Sequence, residues 1–407
     1  MGKPTGAGVL GPLQPFARGF LFELIELGYS WTVQIQRLRL MAELSAWMAA
    51  QGVEPTELTE SLIDEFLEPV RARGPKRQWF SATSERQLVG YLCRLGLVPV
   101  PVAVVVTDPV ELLVCEFVVY LVRERGLTDG SHTVWEYRRT ARLFLAGRVD
   151  PDGRGLDGLT AGDVSGFVLA ECRRRSVRMS QALVTSLRGL LQFLFLEGLT
   201  PTDLTGAVPR VAAWRCASLP KALPAELVAR LLASCDRTTA VGRRDFAILT
   251  MLSRLGVRAC EVAKLELSDI DWRAGELIVR GKQDRHERLP LPADVGEALV
   301  DYLRHGRPAR SDRHVFLKAR APFGPLTGGA GAIGQLVRTA YERAGVPPAG
   351  AHALRHTVAT EVLRAGAPLE EIASLLRHRR HATTVLYAKV DWERLRELAR
   401  PWPGSLP

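Results

Sequence analysis

A chain of 407 residues exceeds what one ordinary core accommodates, and with 47% apolar and 24% charged side chains it reads as globular throughout, in two or three domains. The 54 basic side chains against 44 acidic ones give a net charge of +10, which favours a polyanionic partner, nucleic acid first. A membrane span is excluded even for the most apolar stretch, residues 95–122, because Pro99, Pro101, Asp108, Pro109, Glu111 and Glu116 interrupt it well short of the roughly 20 apolar residues a bilayer needs.

In chain order, the opening MGKPTGAGVLGPLQPF is broken by Gly and Pro, carries no secretory pattern, and is expected to be a flexible lead over residues 1–18. A helical domain is predicted over 19–104 and a second over 105–208, because the first half of the chain repeats itself. Ser30, Thr32, Val33 and Arg37 recur as Ser131, Thr133, Val134 and Arg138, and Leu58, Thr59 and Phe66 recur as Leu159, Thr160 and Phe167, all at an offset of 101. The phrases YLCRLGLVP and FLFLEGLTP follow one residue out of that register, each closing a helix with Gly and Pro. Residues 209–222 form a basic, proline-bearing linker with Arg210 and Lys221.

Beyond the linker, helical patterns flank one strand pair, ELIVRG (Glu276–Gly281) and HERLPLP (His286–Pro292), with Lys282 in the turn between them. The Gly-rich GGAGAIGQ at 328–335 lacks the GK[ST] ending of a nucleotide cradle and reads as a loop before a helix. Six dispersed cysteines, Cys93, Cys115, Cys172, Cys216, Cys235 and Cys260, form no CxxC pair and no zinc spacing, which suits a reduced cytoplasmic protein without structural metal.

Four segments carry candidate chemistry. The first holds Arg258 and, three residues on, Glu261; the second is the hairpin turn with Lys282. The third is HALRH, where His352 and Arg355 share a helix face, a donor fork beside a group that titrates near neutrality. The fourth, LLRHRRHATTVLYAKV, holds His378 and Tyr387. Any one of these alone is commonly a solvated or packed residue; their order is far more specific.

That order resembles the tyrosine recombinase family, strongly from about Leu223 to Val390 and moderately over the helical domain from about Asp108 to Leu204. The resemblance implies a fold that is mainly α with a small antiparallel β-sheet in a catalytic domain over 223–390, preceded by SAM-like helical core-binding domains. It implies a site-specific recombinase that breaks and rejoins duplex DNA through a 3′-phosphotyrosyl intermediate, with strand exchange through a Holliday junction and no cofactor. In that reading Tyr387 is the nucleophile, and Arg258, Arg355 and His378 stabilise the charge that grows on the phosphate. His352 serves as base, Lys282 as acid to the leaving 5′-oxygen, and Glu261 orients an arginine.

The tail over 391–407, with Trp392, Leu395 and Leu398, is expected to pack on a neighbouring protomer in a tetramer on DNA, in a cytoplasmic, nucleoid-associated setting that also admits partner recombinases or accessory proteins. Arg37, Arg138, Arg139, Arg210, Lys221, Arg377 and Arg379 are the candidate DNA contacts. One departure is visible: the family usually has Leu-Gly-His where this chain has Leu376, Arg377 and His378. A nicking-closing topoisomerase and a DNA-binding regulator are the competing readings, the first betrayed by relaxation of supercoils by a monomer, the second by binding without a covalent adduct.

Overall fold

A computed structural model describes residues 8–72, 81–99, 107–150, 155–212, 222–281, 286–326 and 330–377, together with Thr384 and Tyr387. The chain divides into two compact units, one made of Met1–Pro99 with Ser218–Pro407 and the other of Val100–Ala217.

The first hundred residues supply α1 (Gln14–Glu26), α2 (Trp31–Gln51), α3 (Glu60–Ala72) and α4 (Ala82–Arg94) around a core of their own. The expected flexible lead does not take in residues 8–18, because Val9, Leu13 and Ala17 are buried in this core. Pro15 reads as a breaker, yet it sits in the first turn of α1, where an N–H has no intrahelical partner to lose.

The second unit repeats the plan with α5 (Pro109–Arg123), α6 (His132–Leu145), α7 (Ala161–Cys172) and α8 (Val177–Leu196). The correspondence extends to backbone detail. Ser30 and Ser131 precede α2 and α6 with φ/ψ of −64°/155° and −68°/152°. Thr59 and Thr160 each accept a backbone N–H at the start of α3 and α7. Gly96 and Gly198 both take the left-handed conformation, φ 72° and 70°, that closes α4 and α8. Leu97 N–H then reaches Leu92 O, and Leu199 N–H reaches Leu194 O, so the two closures share one hydrogen-bond pattern.

The remainder of the larger unit contains α9 (Ala225–Ala233), α10 (Ala240–Leu255), the short α11 (Ala259–Ala263), strands β1 (Ile270–Asp271), β2 (Glu276–Arg280) and β3 (His286–Pro290), then α12 (Ala293–His305), α13 (Ala330–Ala344), α14 (Ala351–Arg364) and α15 (Leu369–Leu375). The fold is therefore mainly α with a small antiparallel sheet, ordered β1-β2-β3. Leu277 and Leu289 face each other across β2 and β3 and turn toward the core, as the alternation of the two strands requires. The two-residue β1 is too short to show any period in the sequence.

Two loops tie the N-terminal helices to this part of the same unit. Phe323 N–H donates to Leu27 O at 3.2 Å, and Arg310 donates to the Glu26 and Ile25 carbonyls at the end of α1.

Candidate active site

Three helix ends converge on one carboxylate. Helix α10 stops at Gly256, whose φ of 57° is left-handed. A Cβ there would lie 3.1 Å from Leu376 Cδ2, so both conformation and space favour glycine. The turn delivers Arg258 to the N-cap of α11, with Glu261 three residues on. Glu261 Oε2 accepts the Arg258 backbone N–H at 2.8 Å, and Glu261 Oε1 accepts Arg258 Nη1 at 2.6 Å. Glu261 is 2% exposed. Burial alone would raise its carboxyl pKa, but Arg377 and the two Arg258 donors outweigh it and hold the group below the ordinary carboxylate range.

Arg355 projects inward from α14 at 4% exposure. Its Nη1 donates to Gly256 O at 2.5 Å and its Nη2 to Leu376 O. Arg258 Nη2 donates to the next carbonyl, Arg377 O, at 3.1 Å. The two guanidiniums are thus fixed by successive carbonyls at the end of α15. Burial, then the charges of Arg258 and Arg377, bring the Arg355 pKa down to about 10, so the site holds more positive charge than Glu261 balances.

Arg377 has φ 54°, the one left-handed non-glycine among the described residues. It takes the left-handed conformation that glycine would supply at lower cost. Its Nη2 donates to Glu261 Oε2 at 2.8 Å.

Tyr387 is 1% exposed, against Ala359, Leu363, Ile372 and Leu376. Burial pushes its phenol up to about 12, with Arg355 pulling the other way. In this state desolvation outweighs the pull of Arg355. The Tyr387 hydroxyl shares a 2.7 Å hydrogen bond with Nδ1 of His356.

His356 carries no role in the sequence reading, although it lies four residues after His352 and next to Arg355 in the same motif; that i, i+4 spacing was the available signal. Their rings lie 6.5 Å apart, with His352 exposed on the first turn of α14. Burial lowers the His356 pKa, and His352 and Arg355 lower it further.

The structure brings Arg258, Glu261, Arg355 and Tyr387 together, with His352 at the rim. Lys282, His378, Arg379 and Lys221 lie outside the described residues. Two expected DNA contacts are corrected. Arg37 is 9% exposed and its Nε donates to Gln87 Oε1 at 3.1 Å, because the amphipathic face of α2 that carries it turns inward. The Arg377 side chain is 5% exposed and is paired with Glu261, so it faces the site's interior rather than a nucleic-acid backbone. Arg138 is partly buried, Arg139 lies over the exposed Trp135 ring at 5.6 Å, and Arg210 is exposed.

A profile of the phage integrase family matches residues 221–394. The integrase/recombinase y4rA of Sinorhizobium fredii is 38% identical over 398 residues, covering 97% of this chain and 96% of its own. The tyrosine recombinase XerD of Mycobacterium tuberculosis is 33% identical over 299 residues, 70% of this chain and 86% of its own length. Among solved structures, XerH recombinase in a post-cleavage complex with its palindromic difH substrate aligns over 73% of this chain and 98% of its own, with a TM-score of 0.54 and 19% identity. A lambda integrase dimer bound to a COC′ core site gives a TM-score of 0.52 at 16% identity, over 73% of this chain and 98% of its own.

Proposed function

Since the chain belongs to the phage integrase family and is a site-specific tyrosine recombinase that breaks and rejoins DNA, we propose that Tyr387 attacks a backbone phosphate of duplex DNA to give a 3′-phosphotyrosyl intermediate and a free 5′-hydroxyl. The observation that carries this reading is the convergence of Arg258, Arg355 and Tyr387 from three separate segments, with Arg355 close enough to Tyr387 to act on its pKa.

In the attack the Oη–P bond forms as the P–O5′ bond breaks. The phenolic proton passes to His352, and Lys282 gives one to the departing 5′-oxygen. Arg258 and Arg355 meet the charge that builds on the non-bridging oxygens, and His378 adds a donor. Because the phosphotyrosyl bond keeps the energy of the phosphodiester, rejoining consumes no nucleotide. His356 holds the phenol before attack, which the 2.7 Å contact supports.

The helical domain over 105–208 binds the duplex together with the catalytic domain over 223–390, and four protomers exchange strands through a Holliday junction. The DNA-bound state of the XerH and lambda integrase structures supports duplex DNA as the partner.

The test is Tyr387→Phe, which keeps the buried ring and removes the hydroxyl. The variant should bind a cognate duplex about as tightly as wild type and form no covalent complex on a nicked suicide substrate. Adducts that persist in Tyr387→Phe would move the nucleophile elsewhere.

A further inference from the structure

We infer that Arg377 is a positioning residue for the cleavage reaction, one that fixes Arg258 both through Glu261 and through its own carbonyl. Three observations carry it. First, Arg377 occupies a left-handed conformation, φ 54°, that a β-carbon-bearing residue adopts only at a cost and glycine adopts freely. An arginine retained there is offset by what its side chain does. Second, that side chain is 5% exposed and its Nη2 sits 2.8 Å from Glu261 Oε2, the same oxygen that accepts the Arg258 backbone N–H. Glu261 Oε1 meanwhile holds Arg258 Nη1, so Arg377 and Arg258 grip one buried carboxylate from two sides. Third, the left-handed turn points the Arg377 carbonyl at Arg258 Nη2, 3.1 Å away.

Without Arg377, Glu261 would be a buried carboxylate with Arg258 as its single ion-pair partner among the described residues, held by that residue's backbone N–H and guanidinium alone. With it, the carboxylate is clamped and the Arg258 guanidinium has one orientation. Glu287 Oε2 on β3 lies 3.5 Å from Arg377 Nε, which links the clamp to that strand. The arrangement assigns Arg377 an internal role and leaves phosphate contact to the arginines it organises.

This inference rests on the recombinase reading above for its consequence, but not for its geometry, and the experiment separates the two. Arg377→Gly removes the guanidinium while keeping the carbonyl and relaxing the backbone. It should fold but melt lower than wild type, because a buried carboxylate loses one of its two cationic partners, and it should bind duplex DNA within about twofold. Single-turnover adduct formation on a nicked suicide substrate should fall on the order of 100-fold, as expected when a positioned group is misplaced by about an ångström. Millimolar methylguanidinium should restore part of the rate, and Arg377→Lys should lie between. In Glu261→Gln, adding Arg377→Gly should cost little more, because the two residues act in one chain.

Adduct formation at the wild-type rate in Arg377→Gly would overturn the proposal, and a loss of affinity that matches the loss of rate would make Arg377 a phosphate contact instead. Guanidinium rotation at Arg258, followed by NMR of the DNA-free protein, should be slow in wild type and fast in Arg377→Gly. That readout needs no cleavage: an unchanged Arg258 signal sinks the positioning role even if the protein is active, and absence of any wild-type adduct sinks only the recombinase reading.

Discussion

The burial of His356, beside Tyr387, makes stability sensitive to pH in a definite direction. His356 has a pKa below its ordinary 6.5, so between the lowered value and 6.5 the unfolded chain binds a proton that the folded chain does not. Its contribution to stability is complete above pH 6.5 and is lost as pH falls through the lowered value. The thermal midpoint should therefore drop between pH 7.5 and 5.5, and His356→Gln, which cannot take the proton, should flatten the part of that drop due to this residue; an equally steep profile in the variant would exclude it. At this scale the sequence was most informative where chemistry forces residue type. Arg258, Glu261, Arg355 and Tyr387 were all named from order and spacing, and they meet. What the order could not reveal was direction of burial: Arg377 and Arg37 carry charge yet turn inward, since each has a polar partner, Glu261 and Gln87, that is 116 and 50 residues away in the chain.

Among the elements, α11 does the most with the least. Five residues long, it draws little stability from its own hydrogen bonds, and its place depends on the glycine turn before it and the Glu261 cap within it. Gly256→Ala should destabilise the protein by about 1–2 kcal/mol from the left-handed backbone alone, with more from the approach to Leu376. It should also slow adduct formation, because Gly256 O is an anchor of Arg355 and Arg258 lies two residues on. Denaturant melting and single-turnover cleavage read the two effects separately, and a variant as stable and active as wild type would show that the turn can rearrange. The long helices and the β2–β3 hairpin were legible because apolar period and turn chemistry extend over enough residues to count. Two elements fell below that threshold. Strand β1 is two residues long, and the start of α1 was masked by prolines that happen to lie where a helix tolerates them.

For the whole molecule, the duplicated four-helix plan raises the question of what the first copy is for. It holds none of the residues gathered around Glu261, and where Arg138 is partly exposed in the second copy, Arg37 is buried in the first. Removing residues 1–105 should thus weaken DNA binding or assembly while leaving cleavage of a short nicked duplex measurable; a folded truncation unable to cleave would tie the copy to the chemistry through the Arg310 and Phe323 contacts. The remaining consequence concerns timing. Each guanidinium nitrogen that donates to a carbonyl keeps a second hydrogen. In the proposed reaction Arg258 and Arg355 would therefore receive a phosphate without surrendering the anchors that aim them, and little rearrangement of the cations would stand between docking and reaction. Tyr387, the proposed nucleophile, is in the opposite condition, enclosed and with its phenol pKa pushed up by burial. Substrate capture and bond breaking then become separable events, the first governed by groups already in place and the second by release of one phenol. A rapid-mixing record should show DNA binding saturating before any covalent product accumulates.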